Sequence, residues 1–355
     1  MKTFADFELL LPNVDDDSFY VWGTGNTAQL YQEGIKRENL NILGYIDNNP
    51  DKWGTKFNDK LVFSPAQYKE EMAAPILICT AQENALRAIS EQVSSWGGRG
   101  YNFDTVIFTK HKDELRKVYE LLDDRKSQEV FLEVLCHRLT WEQMQDEYVY
   151  DKQYFTVRNF CIRRNNDVFV DCGAFVGDSI EQYIWQMDGV FAKIIAFEID
   201  KGNFKCLQRR TDRLKEEWNI ADDGIELYPH GIGNEDSEVF MSHNADSNGL
   251  GSKINVGPAR DAETIKMVSL DSFFAHRQDK VTFIKADIES FEYKMLLGGK
   301  KTIEEHKPRI AVCIYHNPTD IYSIPLLLKE INPDYHFAVR HHSYNMDETV
   351  LYAYL

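Results

Sequence analysis

From Val168 to Ser179 the chain reads Val-Phe-Val-Asp-Cys-Gly-Ala-Phe-Val-Gly-Asp-Ser. An apolar run ends on Asp171, and two glycines, Gly173 and Gly177, follow at a spacing of four. A strand that opens through such glycines into a helix makes a cradle for a nucleotide. Gly173 permits a tight turn, and Gly177 lets a ligand approach the backbone where the helix containing Ser179 begins. An acid at the strand end repels a pyrophosphate and attracts a cation. The next apolar run closes on Glu198, twenty-one residues after Gly177. A carboxylate at that offset can accept the hydroxyls of an adenosine ribose. S-adenosylmethionine combines an adenosine with a sulfonium and an ammonium. The expected cofactor set is therefore Asp171, Gly173, Gly177, Ser179 and Glu198. The alternative is that these acids cap helices or pair with lysines.

Further along, Phe283-Ile-Lys-Ala runs into Asp287-Ile-Glu289, and Arg309 to Tyr315 runs into His316. Ends of neighbouring parallel strands converge, so these three side chains are candidates for chemistry. Asp287 is the first choice for a general base and His316 the second, with Glu289 orienting the acceptor or the base. Their donors also suit magnesium or manganese, but the spacing is no metal signature and no metal is assigned. His341 and His342 read as structural or surface residues. Tyr154 and Phe155 read as core, with a cofactor-facing role second.

Two alternations of strand and helix must position these groups. The first places strands at 18–22, 41–46, 75–80 and 105–109, with helices at 26–37 and 81–95. Helical periodicity from Lys112 to Tyr148, marked by Leu115, Val118, Phe131 and Leu135, predicts two connecting helices. The second alternation places strands at 168–172, 194–197, 225–228, 281–286 and 309–315, with helices after each except the third. The segment 231–264 reads as loops with a hairpin, and 335–340 with 348–354 as a terminal antiparallel pair. This gives an α/β chain of two Rossmann-like domains at 1–110 and 151–355, joined by a helical connector at 111–150.

With its motifs laid out, the segment from Asp151 to Leu355 resembles the FkbM family of methyltransferases. Asp171-Cys-Gly-Ala-Phe-Val-Gly-Asp-Ser179 is similar to that family's first motif, and Ile195-Ala-Phe-Glu198 to its second. Phe283 to Glu292 resembles its K-x-D-x-E-G-x-E segment. The run Pro308 to His316 and the ending Arg340 to Tyr352 also resemble it. Phe175 stands where many members have Asn or Tyr, and Ser290 where Gly is frequent. The resemblance implies a class I S-adenosylmethionine-dependent methyltransferase fold and transfer to a hydroxyl of a sugar or natural product. It implies cofactor contacts at Asp171, Gly173, Gly177 and Glu198, and an acceptor rim at Asp287 and Glu289.

At the N-terminus, Gly23-Thr-Gly25-Asn-Thr-Ala28 follows a strand, and Asp47 lies twenty-two residues after Gly25. That satisfies dinucleotide spacing. The Ile46 to Pro50 turn also resembles modules beside sugar-modifying enzymes, in which the glycines shape a turn without a ligand. The whole chain has 355 residues, a net charge of -17 and six cysteines without zinc spacing. The charge disfavours nucleic acid as partner, and the cysteines read as buried free thiols of a cytoplasmic protein. No apolar stretch is long enough for a bilayer, and no signal peptide is expected. Three functions remain in view. The first is O-methylation of a carbohydrate, glycoconjugate or natural product, as in polysaccharide biosynthesis, with a small-molecule or glycan acceptor. The second is a non-catalytic cofactor-binding scaffold. The third is a nucleotide-sugar or NAD site in the N-terminal domain. An oligomer is compatible with all three.

Overall fold

The computed structural model describes residues 3–71, 73–80, 82–242, 253–255 and 263–355. The chain divides into two compact units. One comprises 1–119, 132–143 and 317–319; the other comprises 120–131, 144–316 and 320–355.

In the first unit the strands are β1 (Ser18–Trp22), β2 (Asn41–Ile46), β3 (Lys56–Phe57), β4 (Lys60–Phe63), β5 (Ile76–Ile78) and β6 (Gly100–Asn102). They form one sheet in the order β3-β4-β2-β1-β5-β6, parallel except for the β3–β4 hairpin. That hairpin and the helix Pro65–Glu71 carry no strong period in the sequence. The strand expected at 105–109 is instead part of a helix, Phe103–Lys110. Asn102 caps it, its side chain accepting from the Thr105 amide at 2.6 Å, and Val106, Ile107 and Phe108 are all buried. A short helix buried on several sides has the same apolar run as an interior strand. The helix expected at 26–37 is broken at Tyr31 into Asn26–Leu30 and Gln32–Arg37.

The second unit continues with β7 (Val168–Cys172), β8 (Lys193–Phe197) and β9 (Ile225–Tyr228). Four strands follow: β10 (Gly231–Ile232), β11 (Ser237–Ser242), β12 (Lys253–Asn255) and β13 (Glu263–Val268). They form a separate sheet, β10-β13-β11-β12, where loops and a hairpin were expected. Pro258, in that stretch, lies outside the described residues. Then come β14 (Phe283–Ala286), β15 (Arg309–Cys313), β16 (His336–His341) and β17 (Thr349–Tyr354). The main sheet has the order β16-β17-β15-β14-β7-β8-β9. β7, β8, β9, β14 and β15 are mutually parallel, while β17 runs antiparallel to both β15 and β16. The terminal pair is therefore as the sequence predicts. The helix expected over 291–306 is two helices, Glu292–Gly298 and Lys300–His306.

The core against this sheet is aromatic. Phe169 stacks on Tyr183 with centroids 4.4 Å apart, and Phe160 meets Phe283 edge-on at 5.3 Å. Just before β7, the fully buried Asp167 accepts both Arg309 guanidinium nitrogens, at 3.0 and 2.5 Å, and the Thr282 hydroxyl at 3.0 Å. This network fastens the start of β7 to those of β14 and β15. At the other end, register places Lys285 of β14 beside Asp171 of β7. The Lys285 ammonium lies 3.1 Å from Asp171 and donates to the Gly173 carbonyl at 2.6 Å. Ser179 donates to the other oxygen of Asp171 at 2.5 Å.

Backbone strain gathers beyond these strand ends. Phe175, Glu289 and Ser290 have φ of 47°, 51° and 79°. Gly173 has φ 82°, and a Cβ there would stand 1.9 Å from the Asp287 carbonyl oxygen, so only glycine fits. Among the described residues no helix is long and apolar enough to cross a membrane. The cysteines form no disulfide; Cys79, Cys136, Cys172 and Cys313 are buried, Cys161 is half-buried and Cys206 is exposed, so the expectation of uniformly buried thiols holds for four.

Two stability changes follow. Asp171→Ala leaves the Lys285 ammonium buried without its partner and should cost about 3–5 kcal/mol in urea unfolding. Ser290→Gly relieves a left-handed residue and should stabilise by about 1 kcal/mol in the same experiment; an unchanged midpoint would show that the turn carries no strain.

Candidate functional site

Strand order reverses at β7: the chain proceeds to β8 and β9 on one side and to β14 and β15 on the other. Ligands of open parallel sheets sit beyond the carboxyl ends of the strands at such a switch point. The expected residues do gather there, but not all face an opening.

Asp171 and Ser179 are both buried and spend their polar atoms on each other and on Lys285. Burial raises the Asp171 carboxyl above its usual range, with the Lys285 ammonium and the Ser179 hydroxyl opposing. Through Lys285, Asp171 holds the loop that begins at Gly173. Gly177 caps the helix Asp178–Gln186 at φ 84°, and a Cβ there would lie 2.9 Å from Leu207. Backbone conformation and helix packing both favour glycine here.

Glu198 sits at the end of β8 and accepts from the Phe175 amide at 2.8 Å and the Asp200 amide at 2.7 Å. It ties the strained first loop to the second strand. Burial pushes its carboxyl up to about 7, the two amides opposing.

The second cluster lies beyond β14 and β15. Asp287 Oδ2 accepts from Tyr154 Oη at 2.8 Å, and Tyr315 Oη donates to Oδ1 at 3.4 Å. Burial works against ionisation of Asp287, but Lys285, His316 and the Tyr154 hydroxyl outweigh it and hold the carboxyl below its usual range. His316 Nε2 lies 3.5 Å from Asp287 and 3.7 Å from Glu289, and Nδ1 lies 3.0 Å from Glu292. Burial disfavours the imidazolium, yet these carboxylates, Glu292 foremost, push His316 up to about 10. Protonated at neutral pH, it has no lone pair to act as a base, whereas the Asp287 carboxyl beside it is held below its usual range. Glu289 is exposed on its strained turn.

Several neighbours were not singled out from sequence. Lys285 opens the K-x-D-x-E-G-x-E segment in the sequence, but nothing there assigns it a role. Glu292, fully buried, accepts from the Ile288 amide at 2.7 Å. Glu348 is pushed up to about 7 by burial and by Asp287, while Gln153 donates to it. Tyr154 is core, as expected, and also a direct partner of Asp287. His341 is buried against Thr349 and the Asn345 carbonyl, and His342 against the Tyr150 carbonyl and Tyr352, so both are structural.

In the N-terminal unit, Asp47 Oδ2 receives the Thr24 amide at 3.2 Å, the Thr24 hydroxyl and the Lys52 ammonium at 2.9 Å, and Oδ1 receives the Asn49 amide at 2.9 Å. The acid at the dinucleotide offset is bonded within its own turn through both oxygens. A Cβ on Gly23 would lie 2.8 Å from the Cys79 carbonyl, so strand packing accounts for that glycine.

Residues 171–340 match the model of the methyltransferase FkbM domain, and residues 16–99 match that of a C2185-like N-terminal domain. A comparison with curated proteins returned no match. Among solved structures, the chain is similar to methyltransferase FkbM from Methylobacillus flagellatus KT, at 22% identity over 95% of this chain and 90% of that one, with a TM-score of 0.56. An rRNA methylase from Streptococcus thermophilus is similar at 12% identity over 54% of this chain and 87% of that one, with a TM-score of 0.33. Fibrillarin from Aeropyrum pernix, solved with natively bound S-adenosyl-L-methionine, is similar at 10% identity over 56% of this chain and 70% of that one, with a TM-score of 0.31. The domain model and the sheet order agree: residues 171–340 match a methyltransferase FkbM domain, the C-terminal part of the chain has the class I α/β methyltransferase fold, and residues 16–99 match a C2185-like N-terminal domain.

Proposed function

We propose that the C-terminal domain transfers a methyl group from S-adenosylmethionine to a hydroxyl oxygen of a carbohydrate, glycoconjugate or natural-product acceptor. The observation that carries this is the placement, at one switch point, of Glu198 at the end of β8, held by the Phe175 and Asp200 amides, and of Asp287 just after β14, held by the Tyr154 hydroxyl. The residues fit the cofactor in kind. Glu198 has two oxygens turned to backbone amides and retains lone pairs for ribose hydroxyls. Asp171, Gly173 and Gly177 act beneath it, fixing the loop that Glu198 grips at Phe175.

When bound, S-adenosylmethionine supplies a methyl on a sulfonium, the carbon–sulfur bond breaking with its electron pair left on sulfur as the acceptor oxygen takes the methyl. The protein's part is then orientation and proton removal. Asp287 is the group to receive the hydroxyl proton: it is ionised, partly exposed, and held by Tyr154 and Tyr315. The His316 imidazolium beside it balances the charge of the surrounding acids.

Two measurements test this. In titration calorimetry, ribose hydroxyls donate to charged Glu198, so affinity for S-adenosylmethionine should rise as the carboxyl loses its proton. With that proton leaving near pH 7, the gain between pH 6 and pH 8 is up to about tenfold for one linked proton. Glu198→Gln should flatten the profile, and a wild-type affinity independent of pH would remove Glu198 from the cofactor. Asp287→Asn should lower methyl transfer by about 10²–10⁴-fold while leaving cofactor affinity within a few-fold. An Asn variant with wild-type turnover would rule out Asp287 as base.

A further inference from the structure

Around His316 the charges and the hydrogen bonds do not close. One ligand atom from each of Asp287, Glu292 and His316 falls within 4.8 Å of the other two. The His316 side chain is only 7% exposed and Glu292 is fully buried. Among the described residues, neither ring nitrogen of His316 has a hydrogen-bond partner, and neither has Glu292 Oε2. Nδ1 lies 3.0 Å from Glu292 Oε1, an ion-pair contact that is not a hydrogen bond. Buried polar atoms are nearly always partnered, so several orphans converging on one point call for something between them. Lys285 does not fill the gap, because its ammonium is turned to Asp171 and the Gly173 carbonyl. Glu289 adds a further carboxylate, 3.7 Å from Nε2.

We propose that Asp287, Glu292 and His316 bind a hard divalent cation, magnesium or manganese, at the carboxyl end of β14 and β15, with Glu289 as an outer ligand. Carboxylate oxygens with one imidazole are the donors such ions take. Donors about 2.1 Å from an octahedral ion stand roughly 3 Å apart along an edge. An ion takes one ring nitrogen of His316; the 3.5 Å from Nε2 to Asp287 Oδ1 lies near that edge length, and one donor atom of each of the three residues falls within 4.8 Å of the others. The cation replaces the ring's proton as the positive charge among the acids. Its use in chemistry rests on the methyltransferase proposal: it holds an acceptor hydroxyl oxygen and lowers that hydroxyl's pKa beside Asp287. Cation binding itself does not rest on that proposal.

The test is manganese uptake by the full-length protein after EDTA treatment, followed by the paramagnetic resonance of free Mn2+. The expected result is one ion per chain, displaced by Mg2+, with pulsed-resonance modulation from one imidazole nitrogen. Asp287→Asn and Glu292→Gln should each weaken uptake by about 10–100-fold. If either variant does not fold, the nitrogen modulation in wild type decides alone, since His316 is the imidazole at the site. Absence of uptake, uptake without nitrogen modulation, or uptake unchanged in both folded variants would overturn the proposal. Calorimetry with S-adenosylmethionine on the same EDTA-treated protein separates the two ideas. Manganese uptake without cofactor binding keeps the cation site and sinks the methyltransferase assignment. Cofactor binding without manganese uptake does the reverse.

Discussion

A lysine buried between two strand ends sets the geometry of the C-terminal domain. Lys285 emerges from β14 beside Asp171 of β7, and its ammonium bridges that carboxylate and the Gly173 carbonyl. Burial disfavours the ammonium, but Asp171 and Asp287 outweigh it and keep the charge in place. An ion pair so deep stabilises little against an apolar alternative, yet breaking one side of it is costly. Its use here is positional. It fixes where β7 stops, where the glycine turn starts and how closely the Asp287 backbone approaches Gly173.

From that fixed point two acids are driven apart in character. Glu198, fed only by backbone amides, is left near neutrality by burial. Asp287, between an ammonium, an imidazolium and a tyrosine hydroxyl, stays ionised. Environments that separate the protonation of two carboxyls at one site are what acid–base chemistry requires. The imidazole belongs to the same arrangement: without the proposed cation, the three acids around His316 hold the ring protonated.

The N-terminal unit shows how a motif can be present and turned inward. Its glycine turn and its acid at the ribose offset match a dinucleotide fingerprint in spacing. Both oxygens of the acid are nonetheless engaged by Thr24, Asn49 and Lys52 of its own turn, and Gly23 is required by the neighbouring Cys79 carbonyl. Spacing reports where a carboxylate stands along the chain; hydrogen bonding decides whether it is free.

The sequence by itself determined the strands that carry chemistry. β7, β8, β14 and β15 are apolar runs, each followed by an acid or histidine, and their period and punctuation do not depend on context. It also determined the terminal pair, β16 and β17, and the resemblance that the domain model matches. It misjudged 105–109, where an apolar run buried within a helix looks like an interior strand, and 231–264, where short strands among glycines leave little period. Only tertiary structure decided the roles within the site. Asp171 and Glu198 are alike in sequence, each an acid at a strand end, but β14 brings a lysine to one and leaves the other to backbone amides. Glu292 and Tyr154 meet His316 and Asp287 across long stretches of chain, and no local pattern records such a meeting. Protonation state depends on burial and on the charges that folding brings near, and neither is written in a residue's neighbours along the chain.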